Sequence, residues 1–245
     1  MKGDGNMNIS LKSYRRSCLL GALGAILMLI GDLSLSIIPA SQGDSGLFAR
    51  EAYLNGAYET WRFPLLVGTG LIGIALCALA VRSVYEQILP EYRKTRVVIR
   101  VSGVVYLTSA MAIHLLIGSL ADWTSQLSPL LGKEEALALV KAQYERVSPA
   151  MLPAYAGMVL LILTSAWAVA TGKTFLPKKM VIVHMLTWQL VFILIPDIRQ
   201  LCGTRVSTMD FALSQGSGNA ALLLYMIILY ISAGRFWPGR SKALS

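Results

Sequence analysis

The sequence predicts an all-α polytopic membrane protein, a six-transmembrane-helix bundle with both termini in the cytoplasm. Three observations predict it. First, 55% of the 245 residues are hydrophobic, only 14% are charged, and the mean hydropathy is +0.60. A soluble chain carries about 25% charged residues, so too little polar surface exists here to cover a water-soluble domain. Second, six stretches meet or approach the roughly 20 apolar residues that cross a hydrocarbon core. Third, lysine and arginine crowd into alternate connections between those stretches. A soluble enzyme, a disordered chain and a disulfide-stapled secreted domain are thereby excluded.

The spans fall at about 18–40, 63–84, 98–122, 150–172, 180–198 and 218–234. The first is too long for the apolar core of a cleavable signal and no small-x-small site follows it, so it reads as a membrane helix. The second contains Gly68-Thr69-Gly70-Leu71-Ile72-Gly73. That run matches a dinucleotide fingerprint, which requires a strand before it and a helix after it. Inside an apolar span its glycines instead allow close helix approach, and Gly70, Gly73, Cys77 and Ala80 form a small face at helical spacing. In the fifth span Pro196 predicts a kink or an end. Residues 1–17 read as a cytoplasmic segment, 18–237 as a single membrane domain and 238–245 as a cytoplasmic tail.

Orientation follows from the basic residues. Lys2, Lys12, Arg15 and Arg16 precede the first span. Arg82, Arg93, Lys94, Arg96 and Arg100 surround the second connection, Lys173, Lys178 and Lys179 the fourth, and Arg235, Arg240 and Lys242 the end. These outnumber the cations of the other side, which the positive-inside rule makes the outside. The outer connections are longer. Within one of them, 133–146 carries Leu137, Val140 and Tyr144 at three- and four-residue spacing. It reads as a short amphipathic helix on the outer surface or a loop helix packed on the bundle. The stretch 198–217 reads as a Ser-, Thr- and Gly-rich loop.

The net charge is +9, yet no basic stripe or aromatic platform accompanies it, so nucleic acid is not an expected partner. Cys18, Cys77 and Cys202 have neither CxxC nor Cys/His ligand spacing. His114 and His184 stand about two helical turns apart in depth. No metal and no cofactor is therefore expected. No internal repeat relates the two halves.

The informative residues are polar groups inside apolar spans. A charge at a helix centre costs about 2.5–3.5 kcal/mol on insertion scales, so such groups face partners or wet cavities. Asp32 shares a small or polar stripe with Gly21, Ala25 and Ser36, which turns it toward the bundle. His114, on a span of the same direction, lies within about one residue of the same depth. Gln189 lies near the midplane, and these three are expected at the floor of an outward-open cavity. Asp122, Tyr155, Asp197, Arg199 and Asn219 are expected near its lip, Asp197 and Arg199 as a solvated rim pair. The alternative is a set of interhelical hydrogen bonds that only fasten helices.

Ile30-Gly31-Asp32-Leu33 in the first span, together with Gly216-Ser217-Gly218-Asn219-Ala220-Ala221 opening the last, resembles uncharacterised bacterial multi-pass proteins of a domain-of-unknown-function type. The resemblance implies a bacterial inner (plasma) membrane location and carries no activity with it. The residues themselves support a protein binding a lipid-like or small organic molecule in an outward polar pocket, with transport of that molecule as the extension of the same reading. A second reading is an intramembrane lipid isomerase or hydrolase with Asp32 and His114 as an acid/base pair, although no catalytic signature names a reaction. A third is a structural or partner-binding subunit. Expected partners are membrane lipids and a small amphiphile, with homo-oligomerisation left open.

Overall fold

The computed structural model describes residues 10–38, 50–204 and 207–237. The stretches 1–9, 39–49 and 238–245, with Arg205 and Val206, lie outside the described residues, and with them several of the basic residues used for orientation. Six helical segments are long and apolar enough to cross a membrane. The protein is an all-α multi-pass bundle.

Helix α1 (Leu11–Ser36) starts earlier than its apolar run, because Ser10 accepts a hydrogen bond from the Ser13 N–H and caps it. Lys12, Arg15 and Arg16 therefore stand on the helix itself. Its other end leaves carbonyls without helical partners. Arg50 donates to Ser36 O at 2.9 Å and to Ile38 O at 2.7 Å, Tyr53 to Leu35 O at 2.6 Å, and Arg62 to Ser34 O at 2.7 Å. Two guanidinium groups at a helix C-terminus also oppose the negative end of its dipole. Tyr53 belongs to the short α2 (Glu51–Leu54), and Arg62 opens α3 (Arg62–Glu86).

Helices α1 and α3 pack antiparallel through glycine. A Cβ on Gly24 would stand 2.6 Å from Gly73 O and 2.8 Å from Cys77 Sγ, and one on Gly21 would stand 3.0 Å from Ala80 Cβ. The small face predicted on the second span thus meets a small face on the first. Gly70 serves a different neighbour, the imidazole of His114.

Helix α4 (Arg93–Leu131) has 39 residues, about 58 Å at 1.5 Å per residue. It runs nine residues past the expected end of the span at 122, about two and a half turns. Helix α5 (Lys133–Val147) folds back on this overhang, with Ala136 and Val140 buried and Leu137 and Tyr144 half-buried. A 3₁₀ turn (Ser148–Met151) leads into α6 (Leu152–Ala170). The fifth span is composite. A 3₁₀ turn (Lys178–Val183) precedes α7 (Met185–Leu201), with His184 as the cap between them. Pro196 lies inside α7 and does not end it. The expected loop at 198–217 contains α8 (Thr208–Gln215), followed through Gly216 by α9 (Ser217–Phe236).

By contact, the spans run α6, α4, α3, α1, α9, α7, and a sparse α6–α7 contact closes the ring. Helix α7 is the least covered, with only Met185 buried. Antiparallel order brings the start of α1, the ends of α3, α6 and α9, and the start of α4 to one end of the bundle. The carbonyl cap of α1 lies at the other.

Candidate functional site: a polar chamber and an apolar cleft within the ring

Two spaces open inside the ring. The polar one, about 160 Å³, is lined by Asp32, Leu35 and Ser36 of α1, Leu66 of α3, Ile113, His114 and Ile117 of α4, and Gln215 of α8. It lies toward the capped end of α1. Helix α3 packs against both α1 and α4, so Asp32 and His114 face a common void without their helices being close neighbours.

Asp32 has a different partner from the histidine expected for it. Asn219 Nδ2 donates to Asp32 Oδ2 at 2.6 Å, tying α9 to α1. Gly216 makes this approach feasible, since a Cβ there would lie 2.8 Å from Leu29 Cδ1 and 3.5 Å from Asp32 Cβ. Among the described residues His114 has no hydrogen-bond partner. Its ring occupies the space left by Gly70, where a Cβ would come within 3.0 Å of Nδ1. The chamber thus joins a carboxyl group, an imidazole, the Ser36 hydroxyl and the Gln215 amide against apolar walls. Such a set can hydrogen-bond a small head group carrying both donors and acceptors. It holds no metal-ligand cluster, and no group of three such side chains occurs among the described residues.

The second space, about 50 Å³, is apolar. Cys77 and Val81 of α3, Tyr106 of α4, Met158 and Ile162 of α6, and Leu222 and Met226 of α9 are among its walls. Gln189 lines this cleft rather than the floor of the polar chamber. Gly218 lines the cleft, and the next residue, Asn219, holds Asp32.

Of the expected lip residues, only Asn219 is brought to Asp32. Asp122 accepts from Gln126 one turn along α4, at 2.7 Å. Tyr155 is exposed on α6, and Asp197 is exposed on α7. Arg199 does not pair with Asp197. Its Nε lies 3.1 Å from Asp210 Oδ2. Asp210 is also half of a capping box, accepting from the Ser207 N–H and hydroxyl while Ser207 Oγ accepts from the Asp210 N–H. These bonds, with Arg199 beside them, hold the Asp210 carboxyl below the usual carboxylate range.

Sequence reasoning missed α8 and hence Gln215. The Ser207-x-x-Asp210 spacing is the helix-start signal that finds it. It also missed the setting of His184, which is fully buried with Nε2 3.1 Å from Ser165 Oγ. Serine beside histidine invites a catalytic reading. The protonation pattern opposes it. Nδ1 accepts from the Leu186 N–H at 3.2 Å, so a neutral ring carries its proton on Nε2 and donates to the serine rather than accepting from it. The Ser165 hydroxyl in turn donates to Ile162 O at 3.0 Å. His184 caps a helix and does not activate a nucleophile.

The chain belongs to a family of unknown function (DUF6796), whose profile matches residues 7–234. That match embraces both spaces and the six segments long and apolar enough to cross a membrane, except for the last two residues of the sixth. Neither a curated protein nor a solved structure matches the chain.

Proposed function

We propose that the protein binds a lipid-like or small organic amphiphile inside the helix ring. Its polar end lies among Asp32, His114, Ser36 and Gln215, and its apolar part is directed toward the cleft lined by Tyr106, Met158 and Leu222. One observation carries this reading: two ionisable side chains from different spans border one void that no side chain fills. The His114 ring has no hydrogen-bond partner among the described residues and Asp32 has only Asn219; a polar group left short of partners within an apolar bundle is costly, and a ligand that bonds these two offsets that cost. The cleft in its present shape admits only water-sized groups, so a chain enters when α7 moves. Its sparse contact with α6 makes this the seam of least resistance.

The same reading places the protein in a bacterial inner membrane with both termini in the cytoplasm. The location follows the resemblance of the first and last spans, and the support for the orientation is charge distribution: Lys12, Arg15, Arg16, Arg82, Arg93, Lys94, Arg96, Lys173, Lys178, Lys179 and Arg235 belong to the same end of the bundle. The polar chamber then lies in the outer half.

The test is mass spectrometry of small molecules extracted from purified wild-type protein and from the Asp32→Asn and His114→Gln variants, each checked for unchanged melting. A compound retained by the wild type and depleted at least tenfold in both variants is the expected result. Identical extracts from all three folded proteins refute the proposal.

A further inference from the structure

A different groove lies on the outside of the ring, between the start of α1 and the end of α9. Leu11, Lys12, Arg15, Arg16, Leu19 and Tyr230 line it, around about 470 Å³ of open space. Three cations and, among the described residues, no acid line that space. Among the described residues none of the three makes an ion pair. The contrast lies across the same end of the bundle, where Arg82 and Arg96 converge on the buried carboxylate of Glu86 and are partly neutralised by it. Arg15 is already set in position, with its guanidinium 4.8 Å from the centre of the Tyr230 ring and its Nε–H lacking a hydrogen-bond acceptor. Holding an arginine this way lowers the ordering cost of receiving an anion.

The surface beside the groove has a matching apolar part. Lys12, Arg16, Leu19, Leu23, Ile26 and Ile30 follow a four-three-four spacing and share one helix face. All six are exposed, Leu19 at 54% and Leu23 at 49%. On α9, Ile227 and Ile231 are exposed near Tyr230 in the chain. Cations at the edge of the apolar layer, continuous with a hydrocarbon-facing stripe, match an anionic head group above acyl chains. Basic pockets between membrane helices recognise lipids in this way.

We propose that this groove is a binding site for an anionic phospholipid, whose phosphate meets Lys12, Arg15 and Arg16 while its acyl chains lie along the Leu19–Leu23–Ile26 stripe. The site is separate from the interior chamber and stands whether or not that chamber holds a ligand.

Native mass spectrometry of detergent-solubilised protein tests it, with phosphatidylglycerol and phosphatidylcholine of identical chains as probes. Wild-type protein is expected to retain phosphatidylglycerol preferentially. The Lys12→Gln/Arg16→Gln variant, which changes two exposed side chains, should bind it about 30-fold more weakly, about 2 kcal/mol at 1.4 kcal/mol per tenfold. Its phosphatidylcholine binding should not change. Lys141→Gln/Arg146→Gln, at the other end of the bundle, should leave both unchanged. Equal retention of the two lipids by the wild type overturns the proposal without reference to any variant, as does undiminished phosphatidylglycerol binding by a folded Lys12→Gln/Arg16→Gln protein. Displacement of phosphatidylglycerol by millimolar inorganic phosphate assigns the groove to free phosphate and overturns the lipid assignment.

Discussion

The partner that the structure gives to Asp32 can be tested by a pair of double-mutant cycles. The perturbations are Asp32→Ala, Asn219→Ala and His114→Ala, singly and in the pairs containing Asp32. Asp32 and Asn219 share a 2.6 Å hydrogen bond across two helices. Bonds to charged groups contribute about 1.5–3 kcal/mol in soluble proteins, whereas interhelical bonds in a membrane protein average about 0.6 kcal/mol. A half-buried carboxyl group bonded to a buried amide falls between these, so the expected coupling is about 1–2 kcal/mol, a factor of about 5–30 in the folded-to-unfolded ratio. Asp32 and His114 share a void and no bond. Their effects should add to within about 0.5 kcal/mol in ligand-free protein. Reversible unfolding in mixed micelles of lipid and sodium dodecyl sulfate, followed by circular dichroism, measures each stability. Asp32→Asn is the control, because its amide oxygen can still accept from Asn219. Coupling below about 0.3 kcal/mol between Asp32 and Asn219 would refute the reasoning. So would a larger coupling between Asp32 and His114, which would mean that the carboxyl group and imidazole meet directly.

The remaining predictions concern packing and capping. Gly73→Ala should destabilise by about 1–3 kcal/mol in the same unfolding assay, because its Cβ would sit 2.6 Å from Gly24 O, backbone that cannot yield. Gly68→Ala meets nothing within 4 Å and should be neutral or stabilising by about 0.5–1 kcal/mol. Equal effects at the two sites would contradict the packing role given to Gly73. Ser165→Ala should leave the compounds extracted with the protein unchanged, whereas His184→Phe should cost about 1–2 kcal/mol through the lost helix cap. Loss of a bound compound in Ser165→Ala alone would restore a chemical role to that pair. The lowered pKa of Asp210 means that its contribution to holding α8 is complete above the unfolded value of about 3.9 and is lost as pH falls through the folded value. Hydrogen-exchange protection factors of α8 amides should therefore hold between about pH 7 and 5 and drop below about pH 4. Asp210→Asn should remove that drop, and its persistence in the variant would assign it to another group.

The chamber was legible in part. Asp32 and His114 stand out because each carries a polar group where lipid penalises one, and their similar depths follow from counting residues along parallel spans. Gln189 was placed by depth alone, and depth does not fix which way a side chain faces; it lines the apolar cleft. Arg199 was assigned to Asp197 by sequence proximity, yet helical geometry points residues two apart to different faces. Its partner is Asp210, across a turn onto α8.

Span number and composition are properties of each segment taken alone. Twenty apolar residues favour the hydrocarbon core whatever their neighbours do, and a backbone there must satisfy its own hydrogen bonds by forming helix. The chain therefore determined by itself that it is a six-span helical membrane protein. Who faces whom was decided only when the helices packed. Asn219 reaches Asp32 across 187 positions, Gly70 yields its space to His114, and Gly24 and Gly73 set how closely α1 and α3 approach. These are pairwise matters of rotation, register and close contact, and a one-dimensional pattern of apolar residues does not encode them.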